Sequence, residues 1–180
     1  ISEEVGLLGA KYLNYSRFQS RQAIVFDNEG DVGTIVNQAP GHMEIEATIT
    51  GKAAHAGVAP EDGISAIVVA ADAVTHMQLL RIDQETTANI GTFHAEGPNN
   101  IVPKTVRLAA EVRSLDPQKL QRQCHQIIES LQNACRKYQA DLRYTTETSY
   151  DSYRIPEDDP LILLLRDCCA DLGFPVSVCP

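Results

Sequence analysis

The sequence is short of positive charge. It has 15 lysines and arginines against 24 aspartates and glutamates, a formal charge of −9 and a pI near 4.9. That balance leaves no basic footprint for a nucleic acid or an anionic membrane, although a single well-placed arginine still suffices to hold a carboxylate. No apolar run reaches the roughly 18 residues of a membrane span. The opening ISEEVGLLGAKYLNYSRF has neither the basic region nor the long apolar core of a signal peptide. It also does not start with methionine, so the chain is expected to begin partway through a longer gene product. Low-complexity tracts and internal repeats are absent. The 5 cysteines (Cys124, Cys135, Cys168, Cys169, Cys179) are odd in number and show no C-x-x-C spacing. This points to a reducing, cytoplasmic setting and to buried, inert thiols. Histidine is scarce too, with 5 in the chain, and His55 has no acid or second histidine beside it at ligand spacing.

What is present is an ordinary globular composition, 43% hydrophobic and 22% charged over 180 residues, enough for one domain or for one domain plus pieces of another. Periodicity divides the chain. SEEVGLLGAKYLN (residues 2–14) has helical spacing with acids in its first turn. Ala23 to Phe26 is a short apolar run that reads as a fully buried strand with Asp27 at its carboxyl end. From Gly41 onward the alternation of HMEIEATITGKA marks a strand with one solvated face. PEDGISAIVVAADAVTHMQLL follows with helical spacing, opened by Pro60 and its acids. TTANIGTFHAEG and TVRLAAEVRSL are strand-like and are joined by the turn-rich GPNNIVP. DPQKLQRQCHQIIESLQNACRKYQ is a long amphipathic helix opened by Asp116 and Pro117, and ADLRYTTETSY alternates again. The order over Gly41 to Tyr150 is β-α-β-β-α-β, the split βαβ arrangement of a sheet with two helices on one face. A helix over about Asp159 to Leu172 and the start of a strand complete the chain. The expected fold class is α+β: a ferredoxin-like lid at residues 41–152, flanked at 1–40 and 153–180 by segments of an incomplete α/β domain.

Several residues carry both an ordinary and a chemical reading. Glu3 and Glu4 complement a helix dipole, or supply a general base beside a metal ligand. Asp27 forms a turn, or sits where ligands collect in open α/β sheets. Arg113 is a surface or cross-strand-paired arginine, and Asn99 and Asn100 belong to a turn. His94 and His125 read as ordinary strand and helix residues, and His42 and His76 carry no signal. Small neighbours leave the His55 imidazole uncrowded, which suits either a loop surface or a contacting group.

In their order along the chain, SEEVGLLGAK, VFDNEGDVG, GKAAHAGVAPEDGISAI and EGPNNIVPKTVRLAAEVRSLD resemble the peptidase T family of di-zinc exopeptidases and deacylases. Its relatives include carboxypeptidase G, the aminoacylases and succinyl-diaminopimelate desuccinylase. The resemblance covers essentially the whole chain, and the block around His55 is its most specific element. It implies a catalytic α/β domain with two zinc ions, interrupted by a lid domain that also makes a homodimer. Carried over residue by residue, Glu3 matches the general base, and Glu4 and Asp27 match metal ligands. His55 matches a lid histidine that reaches into the partner's active site and stabilises the tetrahedral intermediate. Asn100 and Arg113 match lid residues that hold the substrate carboxylate.

The family's upstream His-x-Asp ligand motif, its bridging aspartate and its last histidine ligand are not in this sequence. Glu4 and Asp27 alone fall short of the three or four protein ligands that zinc takes. The chain by itself is therefore expected to be inactive, and the parent to be a zinc exopeptidase acting on short peptides. The alternatives are a parent that hydrolyses N-acyl amino acids, and a catalytically inert dimerisation module.

Overall fold

A computed structural model of the chain describes residues 7–180. In chain order its elements are α1 (Leu8–Lys11), β1 (Thr34–Val36), β2 (Gln38–Ala39), β3 (Gly41–Thr50), α2 (Ala66–Thr75), β4 (Leu80–Arg81), β5 (Thr86–His94) and β6 (Thr105–Ser114). They continue with α3 (Pro117–Tyr138), β7 (Asp141–Tyr150), β8 (Tyr153–Arg154), α4 (Pro160–Asp171) and β9 (Ser177–Cys179). The chain divides into two compact units, one spanning Pro40–Asp151 and the other formed by the segments before and after it.

In the Pro40–Asp151 unit the sheet order is β4-β5-β6-β3-β7, and every neighbouring pair is antiparallel. Alternation sends Met43, Ile45, Ala47 and Ile49 of β3 and Val106, Leu108, Ala110 and Val112 of β6 into the core. Leu120, Cys124, Ile127, Leu131 and Ala134 recur at helical spacing along one face of α3 and join them, as do Val69, Ala70 and Ala73 of α2. The opposite sheet face, left open by the helices, carries His42, Glu44, Glu46 and Thr48 of β3 alongside Arg113, Glu111, Ala109 and Arg107 of β6.

Both helices begin where their caps dictate. Asp116 accepts hydrogen bonds from the Gln118 and Lys119 amides, and Pro117 starts α3. Ser65 accepts from the Val68 amide and starts α2, so this helix is shorter than its apolar pattern suggests. Pro60–Asp62 form a separate 3-10 turn, and Ile64 pairs with Lys52 instead of entering the helix. The four expected strands are joined by a fifth, the two-residue β4 on the outer edge of β5.

In the other unit β1 pairs in parallel with β9, and β2 pairs antiparallel with β8. Asn37 is buried and donates through Nδ2 to the Ile155 carbonyl at 2.7 Å. Asp159 caps α4, which begins and ends within a residue of the expected bounds. The described part of the expected N-terminal helix is one turn, α1, which stops at Lys11 rather than Asn14. The expected buried strand over residues 23–26 is not there: these residues form no strand, and Val25 and Phe26 are 80% and 94% exposed. A buried strand needs neighbours on both edges and both faces, and among the described residues nothing pairs with this run. The thiols also divide. Cys124 and Cys135 lie in the core, where burial raises both pKa values, whereas Cys168 is exposed and Cys169 and Cys179 are half-buried.

Candidate functional site

The loop that leaves β3 is tied down by backbone pairing. Lys52 and Ile64 exchange both of their hydrogen bonds, at 3.0 and 2.8 Å. Gly51 donates to the Lys104 carbonyl at 2.8 Å, Ala56 to Asn100 at 2.8 Å and Val102 to Ala54 at 2.9 Å. His55 bridges to Ile101, which sets Asn100 beside the His55 backbone. The His55 side chain is exposed on this braced loop. The Gly57 N–H donates to its Nδ1 at 3.2 Å, so in the neutral ring the proton sits on Nε2. The imidazole is thus an N–H donor held by its own loop, with no acid needed to set the tautomer.

Arg113 lies elsewhere. The register of β3 with β6 runs from Thr50↔Thr105, beside the His55 loop, to Gly41↔Ser114 at the far end. Arg113 sits opposite His42 near that far end. The eight residue steps from Thr105 to Arg113 span about 26 Å at the usual strand rise. One chain therefore brings His55 and Asn100 together but does not bring Arg113 to them.

Around Arg113 the open sheet face holds a small polar network. Arg113 Nη2 donates to Glu111 Oε2 at 3.1 Å, and His42 Nε2 lies 3.1 Å from the same oxygen. Burial pushes the Glu111 carboxyl up, but the hydrogen bonds and charges of Arg113 and His42 outweigh it and leave the group below its ordinary range. Glu111 in turn raises the pKa of Arg113. Ser149 donates to Glu44 Oε1 at 3.0 Å, and the Tyr150 ring lies 5.3 Å from that of His42. Sequence reasoning left His42 without a role. The signal was its even-numbered place on an alternating strand, which puts it on the open face with Glu44; the register of β3 with β6 then sets it across from Arg113.

Of the expected metal ligands, Asp27 is exposed in the other unit. Glu3 and Glu4 lie outside the described residues. Among the described residues no three of His, Cys, Asp and Glu come together to hold a metal ion. The described donors therefore do not amount to a zinc site. No described helix is long and apolar enough to cross a membrane.

Comparison with known proteins gives concordant matches. The M20 family model for the peptidase dimerisation domain matches residues 37–139. An uncharacterised Bacillus subtilis protein, YqjE, is 38% identical over 175 residues, covering 97% of this chain and 47% of its own length. A tripeptidase of Staphylococcus aureus superposes with a TM-score of 0.94 at 36% identity, covering 99% of this chain and 48% of that one. The aminopeptidase PepT of Bacillus cereus gives 0.90 at 36% identity with the same coverage. The chain thus spans about half the length of these relatives.

Proposed function

Since the chain belongs to the M20 peptidase family and carries its dimerisation domain, we propose that it forms the ferredoxin-like lid of a cytoplasmic, zinc-dependent exopeptidase acting on short peptides. Residues 41–152 are the lid, and residues 1–40 and 153–180 are segments of the catalytic α/β domain. The hydrolase character of the similar solved structures supports the reaction class, and five free thiols suit a reducing compartment.

The observation that carries the reading is the braced His55 loop set a full sheet length from Arg113. A site that needs both ends of the sheet is completed by two chains. In that arrangement His55 Nε2–H donates to the oxyanion as it develops on the scissile carbonyl, and Asn100 contacts the substrate from the adjacent connection between β5 and β6, whose backbone pairs with the His55 loop. Arg113 of the other chain takes the substrate's carboxylate. Glu3 accepts the proton of the attacking water and passes one to the leaving amine. Glu4 and Asp27 would hold part of a zinc site, and the metal would supply Lewis-acid polarisation of the carbonyl and of the attacking water.

The test is hydrolysis of a tripeptide by the zinc-loaded full-length gene product, with an N-acyl amino acid as the rival substrate. His55→Ala is expected to lower kcat by about a hundredfold or more, the usual cost of losing a preorganised oxyanion donor. Equal turnover in mutant and wild type would return His55 to the loop surface. Preference for the N-acyl amino acid would make the parent a deacylase, and a full-length product without either activity would leave an inert dimerisation module.

A further inference from the structure

We propose that His42 and Glu111 are positioning residues that hold the Arg113 guanidinium ready for a carboxylate. The proposal rests on the reading of Arg113 as the carboxylate grip and adds the parts that make the grip rigid. Glu111 Oε2 is shared by two donors, Arg113 Nη2 and His42 Nε2, each at 3.1 Å. An ionised carboxylate can only accept, so the imidazole hydrogen that meets it lies on Nε2. The ring that donates it cannot wander. His42 is only 7% exposed, packs against Tyr150 at 5.3 Å between centroids, and stands opposite Arg113 in the β3–β6 register.

The chain of support runs from a fixed ring, through a shared carboxylate oxygen, to a long and otherwise flexible arginine. Fixing the guanidinium in advance removes part of the ordering cost that a ligand would meet on binding. The His42 hydrogen bond does a second thing. It takes up part of the Glu111 charge, so Glu111 orients Arg113 without cancelling its pull on an incoming anion. Arg113 also keeps donors in reserve, since Glu111 engages only Nη2, and Arg113 Nε is buried without a partner among the described residues. His42 Nδ1 is likewise buried and unbonded, 3.9 Å from Glu44 Oε1, which leaves Nε2 as the nitrogen that acts.

The experiment uses the zinc-loaded full-length enzyme and paired substrates, a peptide with a free carboxyl terminus and its carboxamide. His42→Phe keeps a ring against Tyr150 but removes the donor, so Glu111 is both looser and more negative toward the ligand. KM for the free acid is expected to rise about tenfold, as for the loss of one charge-assisted hydrogen bond in the chain of support, with kcat within about twofold and the carboxamide unaffected. His42→Gln restores a donor near the Nε2 position and is expected to recover most of the lost KM. In a Glu111→Gln background the His42→Phe effect is expected to vanish, because His42 acts through Glu111. Should His42→Phe not fold, His42→Asn, whose amide is too short to reach Glu111, carries the same expectation.

Equal KM changes for acid and carboxamide would overturn the proposal, as would an undiminished effect in the Glu111→Gln background. Arg113→Ala separates the two layers. If it fails to distinguish acid from carboxamide, the carboxylate-grip reading falls and the proposal goes with it. If it distinguishes them and His42→Phe does not, only the positioning role falls.

Discussion

Gly51→Ala tests whether the His55 loop is held by backbone pairing. A Cβ at Gly51 would lie 2.1 Å from the Ile64 carbonyl oxygen and 3.0 Å from its carbon. No side-chain rotation relieves such a clash, because the obstacle is main chain. The two segments must part by about 1 Å to reach ordinary contact, which is enough to take N–H···O distances out of bonding range. The bonds at risk are the reciprocal pair between Lys52 and Ile64, at 3.0 and 2.8 Å. At about 0.5–1.5 kcal/mol for each net hydrogen bond, the loss sums to about 1–3 kcal/mol. That corresponds to a fall in melting temperature of about 4–12 °C for a unit of this size. Amide hydrogen exchange locates the damage: the Lys52 and Ile64 amides are expected to lose protection while amides in the middle of β3 and β6 remain the slowest. An unchanged melting temperature, with both amides still protected, would refute the claim that this pairing anchors the loop.

Two further outcomes follow from the same unit. Leu131 is fully buried between α3 and the sheet, so Leu131→Ala is expected to cost about 2–5 kcal/mol in urea unfolding. Asp83 accepts from the Glu85 and Thr86 amides at 3.0 and 2.9 Å and pairs with Lys119, and its pKa falls from 3.8 to about 2, with the Glu85 amide the main cause. A depressed carboxylate stabilises the fold above its unfolded pKa and loses that contribution as pH falls through the folded value. The stability difference between wild type and Asp83→Asn should therefore be constant near neutrality and shrink from about pH 4 toward pH 2. Because the group is only half-buried, the difference should be small and should weaken with salt.

Much of the Pro40–Asp151 unit was legible because its signals are local and mutually consistent. Strict alternation over residues 42–50 and 105–114 made β3 and β6 readable, and Asp116-Pro117 announced the start of α3. The capping competition at the start of α2 was harder. Pro60 with its acids read as the start, but Ile64 pairs with Lys52, a contact outside the local sequence, and the helix begins only at the Ser65 cap. The run at 23–26 misled for a related reason: apolar residues state what a segment tolerates, not what is available to cover it. Register was the larger gap. Nothing local said that Arg113 faces His42, or that it stands a sheet's length from His55. The two residues come 58 positions apart in sequence, and only strand pairing turns that interval into opposite ends. The His42–Glu111 pair stayed hidden because its members lie on different strands and meet only across the pleat.

The separation of His55 from Arg113 along β6 has a genetic consequence. Where a site draws one end from each of two chains, a lesion confined to the loop and a lesion confined to the strand end need not be inherited as the same defect. When two differently damaged copies pair, one of the two sites collects both lesions and the other collects neither. With random pairing of equal amounts, half of the dimers are mixed, and about a quarter of all sites are intact. Two variants that are each inactive alone would then give active sites when co-expressed, whereas two variants damaged in the same half would not.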